Sequence, residues 1–213
     1  YERTGFYIFE GVLKPDELED IERDVAEYVS DAVASGRLRA TTDARRAVAE
    51  TDLSLICVGT PSRTNGSLDT SAVETVTRQI GTAIKEKNEY HSVVVRSTVL
   101  PGTVRGRVLP ILEETTGGRV GERFGLASNP EFMREGTAIA DFYDPPKTVI
   151  GEVDAETADK VAALYEDLPG PLFRTDLEIA EMVKYADNVW HGLKVTFGNE
   201  IGAICKRAGI DSH

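Results

Sequence analysis

Two stretches, Asp52-Leu-Ser-Leu-Ile-Cys-Val58 and Ser92-Val-Val-Val-Arg96, decide how the chain folds. Both are short, rich in β-branched residues and nearly continuous in apolar character. A strand with one wet face alternates apolar and polar side chains, whereas a strand covered on both faces need not. The two stretches therefore read as strands lying between layers of helix. Between them Leu68, Ala72, Val73, Val76, Ile80, Ala83 and Ile84 recur at steps of three and four, the spacing of an amphipathic helix. Ser71-Ala-Val-Glu74 has the form of a capping box at its start.

The same alternation continues outward. Residues 103–114 have a helical pattern, with Pro110 placed to bend it. Strand-like runs follow at 124–127, 148–151 and 172–174, and a helix at 154–167. Strands alternating with helices at this spacing give an α/β fold, a parallel sheet with crossover helices. The final stretch is the most periodic. Ile179, Val183, Ala186, Trp190, Leu193, Phe197, Ile201, Cys205 and Ala208 step by three or four without a break. One long helix of about thirty residues, roughly 45 Å from end to end, would carry them all on one face. There is no internal repeat and no low-complexity linker.

The first forty residues differ. Gly5-Phe-Tyr-Ile-Phe-Glu-Gly11 suits a short strand, and Pro15 opens an acid-rich helix through Leu18, Ile21, Val25 and Tyr28. No glycine-rich turn of the kind that grips a dinucleotide pyrophosphate occurs there.

A net charge of −12 over 213 residues opposes nucleic acid as a partner, because binding a phosphate backbone needs a clustered basic surface. An anionic small molecule needs only a few local positive groups. No apolar run approaches the length of a membrane span. The two cysteines, Cys57 and Cys205, sit in apolar stretches and read as small buried hydrophobes, which points to a reducing, cytoplasmic setting. Neither they nor His91, His191 and His213 have metal-ligand spacing, so no metal is expected.

Chemistry is concentrated in four places. On a helix turning about 100° per residue, Lys184, Asn188, His191 and Asn199 fall within roughly 80° of one another, nearly opposite the apolar stripe. A cation, two amides and an imidazole then line one face over about 22 Å, a row suited to an extended anionic ligand. A solvated face would look the same. Asn129-Pro-Glu-Phe-Met-Arg-Glu-Gly136 follows a strand, at the end where open α/β sheets bind ligands. Were it helical, Glu131 and Glu135 would share a face; such carboxylates can hold an alcohol or water, or merely suit a helix N-terminus. The turns Val58-Gly-Thr-Pro61 and Arg96-Ser-Thr98-Val-Leu-Pro-Gly102 place Thr60 and Thr98 at strand carboxyl ends. Ordinary turn chemistry accounts for each alone.

In this order, VGTP (58–61), VVRSTVLPGT (94–103), NPEFMREG (129–136), EMVKYADNVWH (181–191) and KVTFGNEIG (194–202) resemble the nucleotide-sugar 6-dehydrogenases. Those enzymes oxidise the C6 alcohol of a sugar nucleotide to a carboxylate with two NAD. The resemblance runs from about Asp31 to the end. The segments at 188–191 and 194–201 are similar to the GDP-mannose branch of the family rather than the UDP-glucose branch. The resemblance implies a partial Rossmann-like, NAD-binding domain over 31–175 and the family's long central helix over 176–213. It implies NAD contacts for Thr60 and Thr98, and substrate contacts for Glu131, Glu135, Lys184, Asn188, His191 and Asn199. By position, Lys184 and Asn188 match the pair that steadies the sugar and the oxyanion, with Thr98 and Glu135 organising alcohol or water. It also implies a homodimer through the long helix.

Residues 1–30 depart from the family and resemble the opening of a phytanoyl-CoA dioxygenase-type protein, without that family's iron ligands. They are expected to be an atypical segment from a fusion or a sequence artefact. The family's nucleophilic cysteine lies beyond the long helix, and so does its C-terminal nucleotide-binding domain. The expectation is a piece of a GDP-mannose (or UDP-glucose) 6-dehydrogenase that does not complete the cycle alone. A sugar-nucleotide-binding or dimerising remnant, and an oxygenase-like module, are the alternatives.

Overall fold

The computed structural model describes residues 30, 32–87, 89–134 and 137–211. Nearly all of the segment set apart at 1–30 lies outside the described residues, as does Glu135. Five strands form one sheet in sequence order: β1 (Leu53–Ile56), β2 (His91–Val95), β3 (Phe124–Ser128), β4 (Thr148–Glu152) and β5 (Leu172–Asp176). Neighbours run parallel except at one place. β4 is antiparallel to β3, pairing Ala127 with Glu152 and Ser128 with Gly151. The sheet is thus mostly parallel, not wholly so as expected. A parallel return needs a crossover that carries the chain to the far rim. The connection from β3 to β4 has only one short helix, α4 (Ala138–Tyr143), and re-enters the sheet on the rim it left.

Helices cover both faces. Val93 and Val95 point into a core with α2 (Ser71–Glu86) and α3 (Leu109–Thr116), while Val94, Ala127 and Ile150 meet α5 (Ala155–Ala163) on the other side. The central strands β2 and β3 are fully buried. β1, expected to be covered on both faces, is half-buried and among the described residues pairs with β2 alone, and Cys57 just past it is exposed rather than part of the core. Two six-residue helices, α1 (Ala44–Ala49) and α4, are too short to leave a periodic signature.

Local chemistry sets the helix ends. The capping box at Ser71 does not form. Asp69 accepts the Ser71 amide at 2.9 Å instead, and Glu74 turns aside to accept the Thr70 hydroxyl at 2.7 Å. Pro110 cannot donate a backbone hydrogen bond, and the chain accommodates it one turn early. Residues Val104–Val108 form a π-helical turn in which the Leu109 amide donates to the Val104 carbonyl, and α3 starts beyond it.

The long helix α6 spans Leu177–Ala208, 32 residues, and stops at Gly209, whose φ of +69° is the left-handed cap that glycine adopts most readily. Its first turns climb the sheet on Leu177, Ala180, Glu181 and Lys184, all buried. Gly151 makes that contact possible. A Cβ there would stand 2.7 Å from the Ala180 side chain and 2.9 Å from the Leu177 Cα. Past Lys184 the helix leaves the sheet, and its apolar stripe faces outward, with Trp190 60% and Phe197 66% exposed. Among the described residues no helix is long and apolar enough to cross a membrane.

Candidate functional site

The site forms at the carboxyl ends of β1, β2 and β3, under the point where α6 passes the rim. Two turns make one side. The Thr60 hydroxyl donates to the Thr98 carbonyl at 2.7 Å, and the Ser97 hydroxyl donates to the Val58 carbonyl at 2.6 Å. The Ser97 amide donates to Ile56 at 3.0 Å, so the turn after β2 is stitched to the end of β1 by backbone and side chain together. Gly59 lies open between them, with nothing within 4 Å of where a Cβ would stand. Hydroxyls and peptide groups on an open rim are what a dinucleotide edge requires, and Thr60 and Thr98 fit that part of an NAD site. The described residues supply no turn that would grip the pyrophosphate.

The turn after β2 is also tied to α6. Both oxygens of Glu181 are engaged: one accepts the Gly102 amide at 2.6 Å, the other the Val104 amide at 2.8 Å. Burial pushes this carboxyl above its ordinary pKa, while the two amides pull it down. One turn earlier, Glu178 accepts from the Arg105 guanidinium at 2.5 Å.

The loop after β3 makes the other side. Asn129 is buried and nearly saturated. Its carbonyl oxygen accepts from Arg96 at 2.8 Å and from the Tyr165 hydroxyl at 2.5 Å, and its amide donates to Val149 at 2.9 Å. Burial pushes the Tyr165 phenol up. Next along, Glu131 accepts the Met133 amide at 2.7 Å with one oxygen and meets the Lys184 ammonium at 3.1 Å with the other. Residues 129–134 are not helical, and Glu135, expected to share a face with Glu131, lies outside the described residues. The Phe132 ring lies between two ammonium groups, Lys147 at 4.2 Å and Lys184 at 5.4 Å from its centre. Lys147 in turn pairs with Asp187 at 2.9 Å, fixing α6 a second time where it leaves the rim.

Thr60 and Thr98 are thus in one rim, and Glu131 and Lys184 are in contact. Asn188 stands one turn beyond Lys184 and is exposed. His191 and Asn199 continue the same face of α6, also exposed, beyond the part that docks on the sheet. The face that carries Lys184 is the docking face, and the apolar stripe is the one in solvent. Glu181 and Asn129 hold the surrounding turns together, and sequence reasoning missed both. Glu181, three residues before Lys184, falls within the same helical sector and could have been found there. Among the described residues no group of three or more His, Cys, Asp and Glu side chains is placed to hold a metal ion.

What this assembly can do is hold an anionic, hydroxyl-bearing ligand. A buried ammonium with a carboxylate counter-ion offers a charge and an acceptor, and the threonine rim offers a second ligand a place beside it.

Comparison with known proteins gives the family. Residues 11–169 match the NAD binding domain of the UDP-glucose/GDP-mannose dehydrogenase family, and residues 178–213 match its central domain. The match begins at residue 11, inside the stretch set apart at 1–30 and well before Asp31. GDP-mannose 6-dehydrogenase of Azotobacter vinelandii is 52% identical over 191 residues, which are 90% of this chain and 44% of that protein. A UDP-glucose 6-dehydrogenase of Haloferax volcanii is 38% identical over 90% of this chain and 45% of its own length. The crystal structure of a ternary complex of GDP-mannose dehydrogenase from Pseudomonas aeruginosa superposes with a TM-score of 0.82 at 50% identity, over 94% of this chain and 44% of that one. The chain spans somewhat under half the length of these relatives. With the family's NAD-binding and central domain models matched in order, on a mostly parallel sheet that feeds one long helix, the chain belongs to the UDP-glucose/GDP-mannose dehydrogenase family.

Proposed function

We propose that this chain carries the hydride-transfer side and much of the sugar site of an NAD-dependent dehydrogenase that oxidises the C6 alcohol of GDP-mannose. The observation that carries the reading is the buried Lys184 ammonium, 5% exposed and 3.1 Å from Glu131, on the rim shared with Thr60 and Thr98. NAD, when bound, supplies the hydride acceptor. Thr60 and Thr98 line its approach. Lys184 and Asn188 hold the sugar and stabilise negative charge on its reacting oxygen, an electrostatic task that a desolvated ammonium performs well. Glu131 keeps that ammonium aimed, and Glu135 contacts the substrate. His191 and Asn199 extend the contact toward the nucleotide.

Two further statements belong to the same reading. The bare apolar stripe of α6 is covered by the same helix of a second copy, giving a homodimer. The free thiols of Cys57 and Cys205 suit the reducing cytoplasm.

Calorimetric titration of the chain with GDP-mannose, UDP-glucose and NAD tests the ligand assignment. GDP-mannose is expected to bind more tightly than UDP-glucose. Lys184→Met is expected to weaken GDP-mannose by roughly 10- to 100-fold, the range for losing one charge-assisted hydrogen bond. Equal or tighter binding of UDP-glucose overturns the choice of sugar, and an indifferent Lys184→Met overturns the site.

A further inference from the structure

Glu181 has no evident place in a simple account of packing. Leu177 and Ala180 already dock the start of α6 on the sheet, and an apolar residue at 181 would dock it without burying a charge. Instead a carboxylate, 2% exposed, stands at the start of the π-helical turn and accepts two amides, from Gly102 at 2.6 Å and Val104 at 2.8 Å. Amides that open a helical segment have no partner within it, and a carboxylate is the acceptor their dipoles favour. The cation nearby, Arg105, is held by Glu178, so Glu181 rests on those two amides. Two bonds from one rigid planar group fix direction as well as distance. One end of that connection is the turn that contains Thr98; the other is the helix that carries Lys184, one turn along.

We infer that Glu181 is a positioning residue, whose carboxylate locks the 97–104 turn to α6 so that the threonine rim and the Lys184 ammonium hold a fixed separation. The lock rests on the hydrogen bonds alone. Its consequence, that ligands on the two sides sense each other through it, rests on the function proposed above. An amide at 181 keeps the shape but offers one acceptor oxygen and turns an NH2 toward the second backbone amide.

Hydrogen exchange on the full chain tests the lock. Glu181→Gln is expected to speed exchange of the Gly102 and Val104 amides at least about tenfold, with Val94 in the buried centre of the sheet unchanged. Unchanged exchange at both amides overturns the proposal whatever the ligands do. Should Val94 also open, Glu181→Asp decides the same question, since it keeps the charge and withdraws it by one methylene. Titrating GDP-mannose with and without NAD tests the consequence: the mutual effect of the two ligands is expected to shrink severalfold in Glu181→Gln while each still binds alone. An undiminished effect overturns the positioning role. If exchange responds as expected but wild-type chain binds neither ligand, the lock stands and the proposed function falls.

Discussion

His91 lies at the amino end of β2, wholly buried, with one ring nitrogen 3.1 Å from the Thr51 carbonyl and the other 2.8 Å from the Ser54 hydroxyl. Burial, and then the Lys87 ammonium beside the ring, lower its pKa to about 3. The unfolded chain, with an ordinary imidazole near pH 6.5, takes up a proton below that point that the folded chain refuses. Stability conferred by neutral His91 is therefore complete above about pH 6.5 and is lost as pH falls toward 3, at about 1.4 kcal/mol per pH unit. Urea unfolding at pH 7.5 and pH 5 is expected to show a steeper loss for the natural chain than for His91→Asn. Equal losses would remove His91 as the source. The residue scale was partly legible in sequence. A rotation of about 100° per residue was enough to put Lys184 and Asn188 on one face. Asn129 could be seen only as the first letter of a motif, because Arg96, Val149 and Tyr165 reach it from far along the chain.

At the scale of elements, α6 depends on Gly151. With Leu177 and Ala180 so close, Gly151→Ala forces the helix off β4, and overpacking of this kind costs about 1–3 kcal/mol. Thermal unfolding is expected to fall accordingly, and GDP-mannose binding to weaken with it, because Lys184 would leave Glu131. A variant as stable as the parent would show that the contact yields easily. The other side of the same helix carries the dimer reading. Phe197→Glu puts a charge in the middle of the bare stripe, and light scattering is expected to report a dimer for the natural chain and a monomer for the variant. A natural chain that is monomeric at high concentration removes the interface. Long periodic elements were the legible ones, since α6 and α2 repeat their pattern over several turns. The six-residue helices α1 and α4 were not, and neither was the π-helical turn, where Pro110 announced a defect but not its form.

Across the whole molecule, apolar runs foretold the strands and their order of appearance but were silent on direction. A five-residue strand reads alike whichever way it runs, and only the length and content of its connection tell the difference. That is why the reversal between β3 and β4 was missed. The reversal matters beyond topology. Residues 129–147 depart from the sheet and rejoin it at adjacent points of one rim, like a lay-by on a road. Between its anchored ends, Asn129 and Glu131 on one side and Lys147 on the other, changes of length or lettering inside such a detour displace no strand. Under the proposed reading, taste for one sugar over another is therefore free to evolve in that span while the machinery for moving hydride stays where it is.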